Sequence, residues 1–183
     1  LAMVELAGGM GYEELDAAWT GPGRNPWGLD SWAGGSSSGS GAAVAARLLP
    51  FAIGSETFGS IVTPASYCGI SGLRPTYGRV SRYGAMALSW TLDKLGPLAR
   101  SADDCGLVLD AIAGPDENDP TSVQRTFHHP APKGSGQRRH GFRFAVPAGW
   151  RDGTEPQIVD NIEESLDTLR GIGTIEEVAL PDM

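Results

Sequence analysis

Cysteine is nearly missing from this chain: Cys68 and Cys105 are the only two among 183 residues. Two thiols do not make a disulfide framework, and their scarcity fits a reduced, cytoplasmic setting with both as free buried thiols. Lysine is just as scarce, with Lys94 and Lys133 alone. Acidic residues outnumber basic ones by 22 to 14, giving a net charge of −8 and a pI near 4.8. That balance argues against direct nucleic-acid binding, which needs a basic patch. No run of about 18 apolar residues occurs, so no membrane span is expected. The longest candidate, 42–53, is broken by Arg47 and Pro50. The three histidines, His128, His129 and His140, all lie in one Pro-rich stretch, in no motif that would aim a general base. Adjacent His128 and His129 lack metal-ligand spacing. No metal and no cofactor are expected.

Glycine and serine, by contrast, are abundant and clustered. Gly34 to Ser40 is one run of small residues, and Gly54-Ser-Glu-Thr-Phe-Gly-Ser60 is a second. Between them, Ala42 to Leu49 holds mostly good helix formers, which Ser38 or Ser40 can cap. Pro50 and Gly54 end that helix, with Phe51 to Ile53 as a short buried strand. A flexible Ser/Gly linker would not be followed by an apolar helix and a second such cluster.

Elsewhere the pattern is α/β, and 183 residues suffice for a sizeable core. Leu1 to Leu6 reads as the end of a strand or helix, and 12–19 as weakly helical. Thr20 to Gly28 is a loop by its Gly and Pro content, with Trp27 and Trp32 packing beneath it. Pro64 to Cys68 reads as a short helix and Gly72 to Gly78 as a turn. Ser101-Ala-Asp-Asp104 resembles a capping box, opening a helix to about Ala113 that Gly114 stops. Its apolar face is 105, 108, 109 and 112. The Pro-rich stretch 114–141 is a long connection or mobile flap. Phe142 to Val146 alternates as a strand, Pro156 to Arg170 has helical spacing, and Ile175 to Leu180 reads as a strand. That order suggests a right-handed crossover.

An ordered set of motifs spans the two serine clusters and the residues after them. It comprises Gly34-Gly-Ser-Ser37, Gly59-Ser60-Ile61, Pro64-Ala65, Cys68-Gly69, Gly72-Leu-Arg-Pro-Thr76, Gly78-Arg-Val-Ser-Arg82, Leu92-Asp93 and Gly96-Pro97. In this set the chain resembles the amidase signature family of serine hydrolases. The resemblance implies a mixed central β-sheet flanked by helices. It makes 1–183 a fragment of a single such domain: 1–114 a catalytic core with both serine loops, 115–141 the connection, and 142–183 a strand–helix–strand continuation. It implies Ser60 as the nucleophile and Ser36, preceded by a cis peptide bond, as the serine that bridges to a lysine base. Gly34, Gly35 and Ser37 support that loop. The backbone N–H groups of Thr57, Phe58, Gly59 and Ser60 supply the oxyanion hole. Neither Lys94 nor Lys133 has the family lysine's setting, so the lysine is expected upstream of Leu1.

The chemistry agrees with that resemblance. A serine hydroxyl is a poor nucleophile until a base takes its proton. Without an aimed histidine, a lysine kept neutral by desolvation or nearby positive charge is the other solution. The departures from the family pattern are Phe58 for a glycine, Glu56 for an aspartate and Val62 for an arginine. The usual local ion pair is therefore expected to be absent. A φ above zero at Phe58 would be costly, and its ring is a candidate for lining the acyl pocket.

Other readings are weaker. Gly35-Ser-Ser-Ser-Gly39 satisfies the Gly-x-Ser-x-Gly elbow with Ser37 as nucleophile, but 29–33 is a poor strand to precede it. No Gly-Lys-Ser/Thr accompanies the glycines to make a phosphate loop, and Cys68 has no nearby base. The favoured expectation is a stand-alone amidase acting on a small-molecule carboxamide, ester or carbamate, with a homodimer left open. The alternative is the glutamine-hydrolysing subunit of a tRNA-dependent amidotransferase.

Overall fold

The computed structural model describes residues 23–130 and 141–181. Expectations for 1–6, 12–19, Lys133 and His140 fall outside these residues. The chain divides into two compact units, Leu1–His129 and Pro130–Met183.

The first unit opens with a hairpin, β1 (Arg24–Asn25) antiparallel to β2 (Gly28–Trp32). The segment 29–33 is thus largely strand, against expectation. It is an edge hairpin with three of its five strand residues exposed, not the core strand an elbow needs. Asn25 and Trp27 grip the end of a helix. Asn25 Nδ2 donates to Tyr67 O at 2.7 Å, and Trp27 Nε1 donates to Cys68 O at 2.8 Å. These donors satisfy carbonyls that a helix C-terminus leaves without partners. The Trp27 ring itself is 75% exposed, so the expectation that it packs beneath the loop is not met. Trp32 packs edge-on against Tyr67, with ring centroids 5.2 Å apart.

Next come α1 (Ser38–Ala45), β3 (Phe51–Glu56) and α2 (Val62–Cys68). Neither Ser38 nor Ser40 caps α1; both lie inside it, and Ser37 holds the N-cap position without a side-chain cap bond. The reason is competition for the hydroxyls. Ser40 Oγ donates to Ile53 O at 2.9 Å and Ser37 Oγ to Ser55 O at 3.2 Å, so the serines fasten the helix start to β3. The strands β3, β4 (Ser71–Gly72) and β5 (Lys94–Ala99) form an antiparallel sheet in the order β3-β5-β4. Ile61, Ala65 and Leu98 make its core with Ile70 against them; full burial of a side chain like Ile61 or Leu98 is worth about 1.5–3 kcal/mol.

Helix α3 (Ala102–Ile112) begins where the sequence places it. Ser101 Oγ accepts from Asp104 N at 3.1 Å and donates to Asp104 Oδ2 at 2.8 Å. The connection after it is tied down over its described part. Ser81 and Asn118 bond Asp116, while Arg82 N and Thr121 bond Asp119. His129 Nε2 meets Asp103 Oδ1 at 2.9 Å, and His128 Nδ1 meets Asp110 Oδ1 at 3.4 Å, both on α3.

The second unit runs β6 (Phe142–Pro147), α4 (Pro156–Arg170), β7 (Gly173–Val178), with β6 and β7 parallel from Phe142↔Gly173 to Pro147↔Val178. A helix between parallel strands is the expected βαβ order. The fold class is therefore mixed α/β, as the sequence implies.

Candidate functional site

Two loops converge beside the core. The first leaves β2 and turns at Gly34, whose φ of 79° is open to glycine at little cost. A Cβ there would stand 2.7 Å from Pro64 Cα, so only glycine lets the loop cross the start of α2. The Gly35–Ser36 peptide bond is cis. Ser37 N then donates to Ser60 O at 3.2 Å and joins this loop to the one following β3. Ser36 and Ser60 are both half-buried, and no hydrogen bond links their hydroxyls among the described residues.

Ser37 is fully buried, and its hydroxyl both donates to Ser55 O and accepts from Ser55 N, each at 3.2 Å. A hydroxyl so enclosed and so engaged is a fastening, not a nucleophile. Gly54 makes room for it, since a Cβ at that position would lie 2.9 Å from Ser37 Oγ.

The second loop is 57–60. Phe58 does not take a positive φ; Gly59 does, at 108°, so the chain turns where no side chain objects. Phe58 is 93% exposed. Beneath the loop lies Glu56, fully buried. Its Oε2 accepts from Ile61 N at 2.8 Å and Val62 N at 3.0 Å, the donors at the start of α2. Its Oε1 accepts from Arg74 Nη1 at 3.2 Å. Val62 cannot form the usual local ion pair, but Glu56 is not left without a cation: Arg74 pairs with it from beyond β4. Burial pushes the Glu56 carboxyl upward, but the N–H groups of Ile61, Val62 and Gly59 and the Arg74 guanidinium hold it below its ordinary value.

Sequence reasoning gives Asp93 and Lys94 no role at the site, yet both reach Thr57. Thr57 Oγ1 donates to Asp93 Oδ1 at 2.5 Å, and Lys94 Nζ donates to Thr57 O at 3.1 Å. The Leu92-Asp93 motif is visible in the sequence, but nothing in its spacing reveals its target. The described histidines, His128 and His129, bond to α3, and no group of three metal-ligating residues occurs among the described residues.

Comparison with known proteins bears on what this arrangement is. The Amidase family model matches residues 7–183. The A subunit of glutamyl-tRNA(Gln) amidotransferase from Methylococcus capsulatus is 45% identical over 188 residues, covering 100% of this chain and 37% of that protein. The crystal structure of the same subunit from Thermotoga maritima is 40% identical over 87% of this chain and 35% of its own, with a TM-score of 0.79. An inhibitor-bound chain, from a complex described as revealing the origins of an s-triazine catabolic enzyme, is 41% identical with a TM-score of 0.81. It is matched over 92% of this chain and 36% of its own. The chain thus spans little more than a third of the length of these relatives. Matched over nearly all its residues, in sequence and in fold, it belongs to the Amidase family.

Proposed function

We propose that the full-length protein containing this chain is an amidase that hydrolyses carboxamide C–N bonds through an acyl-enzyme on Ser60. The observation that carries this reading is the Ser37 N–Ser60 O bond, which holds the two serine loops against each other. Ser60 Oγ attacks the carbonyl carbon and forms a C–O bond. Its proton passes by way of the Ser36 hydroxyl to a lysine amine contributed from outside these residues. The tetrahedral oxyanion is held by N–H groups of the loop 57–60. The C–N bond breaks, and the amine leaves with the proton returned from the lysine. Water then attacks the ester under the same base and frees the acid and Ser60. Two buried thiols support a reduced, cytoplasmic setting.

A fluorophosphonate should label Ser60 in the full-length protein, and Ser60→Ala should abolish both label and turnover. Ser36→Ala should slow acylation on the order of 10²–10³-fold while keeping the fold. Label on Ser37 instead would overturn the assignment.

A second reading has a specific observation behind it: the 45% identity to the glutamyl-tRNA(Gln) amidotransferase protein of Methylococcus capsulatus. On that reading the substrate is glutamine and the protein works beside other subunits. Ammonia release from glutamine, measured with and without partner subunits, separates the two. Dependence on the partners favours the amidotransferase, and turnover of simple carboxamides without them favours the stand-alone enzyme.

A further inference from the structure

The far end of the loop 57–60 is held by Thr63 N donating to Gly59 O at 2.7 Å and Ser37 N donating to Ser60 O at 3.2 Å, which leaves its start, Thr57–Phe58, to be fixed separately. The Phe58 ring is 93% exposed, and Gly59 is the most permissive of residues. At that start, Thr57 is gripped twice. In the β3–β5 ladder Glu56 stands opposite Lys94, so one step further places Thr57 opposite Asp93. Asp93 is only 8% exposed; besides Thr57 Oγ1 it accepts Leu88 N at 2.7 Å and Ser89 N at 2.9 Å through Oδ2. Lys94 takes the Thr57 carbonyl. Among the described residues the cis bond is Gly35–Ser36, so the Thr57–Phe58 bond is trans. In a trans peptide the carbonyl and the next N–H point to opposite sides of the chain. Drawing the Thr57 carbonyl toward Lys94 therefore sends the Phe58 N–H the other way.

We infer that Asp93 and Lys94 are positioning residues that fix the Thr57–Phe58 peptide plane and thereby aim the Phe58 N–H at the developing oxyanion. This rests on the acyl-enzyme reading of Ser60. The surroundings of Asp93 agree with a holding role. It borders a cavity of about 350 Å³ together with Arg82, Met86, Trp90 and Asp119. Both cavity carboxylates are already bonded to protein donors, Asp93 as above and Asp119 to Arg82 N and Thr121. Their charge holds loops in place instead of awaiting a ligand.

The test uses the full-length protein. Losing one oxyanion donor outright lowers kcat about 10²–10³-fold, so loosening one should lower it roughly tenfold. Lys94→Met and Thr57→Val should each do so with KM within about twofold of wild type, because the interaction matters in the transition state alone. Lys94→Arg should restore kcat. The double variant should lose less than the product of the single losses, since both act on one plane. Affinity for a boronic acid, a tetrahedral mimic, should fall by the same factor as kcat, with binding of an unreactive ground-state amide unchanged. A merely structural role would not produce that split. Should Thr57→Val fail to fold, the half-buried Lys94 carries the test alone. Wild-type kcat in Lys94→Met, or a raised KM at unchanged kcat, overturns the inference when Ser60→Ala is inactive. Turnover by Ser60→Ala overturns the acyl-enzyme reading instead.

Discussion

At Glu56 a carboxylate beyond the reach of solvent is kept charged by hydrogen bonds from Ile61 and Val62 and by Arg74. Removing it leaves two helix-start amides without their acceptor. Glu56→Ala should therefore destabilise the first unit by about 3 kcal/mol, and Glu56→Gln, which keeps an acceptor oxygen, by about half of that. The denaturant midpoint of the protein reads both; equal midpoints for the two variants would show that the amides do not depend on this acceptor. The sequence displays Glu56 and Val62 as departures but not the repair. Arg74 is 18 residues away, across α2 and β4, and no local pattern joins residues that far apart. The serines show the opposite case. Their clustering is plain, but which hydroxyl fastens to a strand and which stays unengaged depends on tertiary placement of β3.

Among the elements, those whose cause is local are legible. Helix α4 occupies Pro156–Arg170 as its spacing requires, and α3 follows directly from its Ser101 cap. The cap supplies two hydrogen bonds, so Ser101→Ala should cost about 1 kcal/mol, while Ser101→Thr should cost little. Urea titration followed by far-UV circular dichroism checks this, and an unchanged midpoint for the alanine variant would refute it. Elements held by distant partners are not legible. Strand β2 reads as a poor strand at 29–33 because its mostly exposed side chains carry no core alternation. The connection after α3 reads as a long connection or mobile flap because its anchors, Asp116 and Asp119, are turn residues without period. They are bound to Ser81 and Arg82, well back along the chain.

On the scale of the whole molecule, the acid excess is put to structural use. Among the described residues of the first unit, four carboxyls sit below their ordinary values. Burial raises Glu56 and Asp93, but their hydrogen bonds outweigh it; Asp116 is lowered first by Ser81 and Asp119 first by Thr121. A carboxyl with a folded value below its unfolded one stabilises fully above the unfolded value and stops doing so as pH falls through the folded one. Stability should thus be level from neutral pH to about 5 and fall steeply below about 4. Thermal melts across that range test it, and a flat profile down to about pH 3 would contradict it.

The two thiols add a last property. Cys68 and Cys105 are both free and buried. Burial lifts Cys68 to about 11 and also raises Cys105, so little thiolate exists at neutral pH. An alkylating reagent must wait for the first unit to open before it finds sulfur to attack. The rate at which the two sulfurs become modified is then a stopwatch for unfolding, installed without any engineered label.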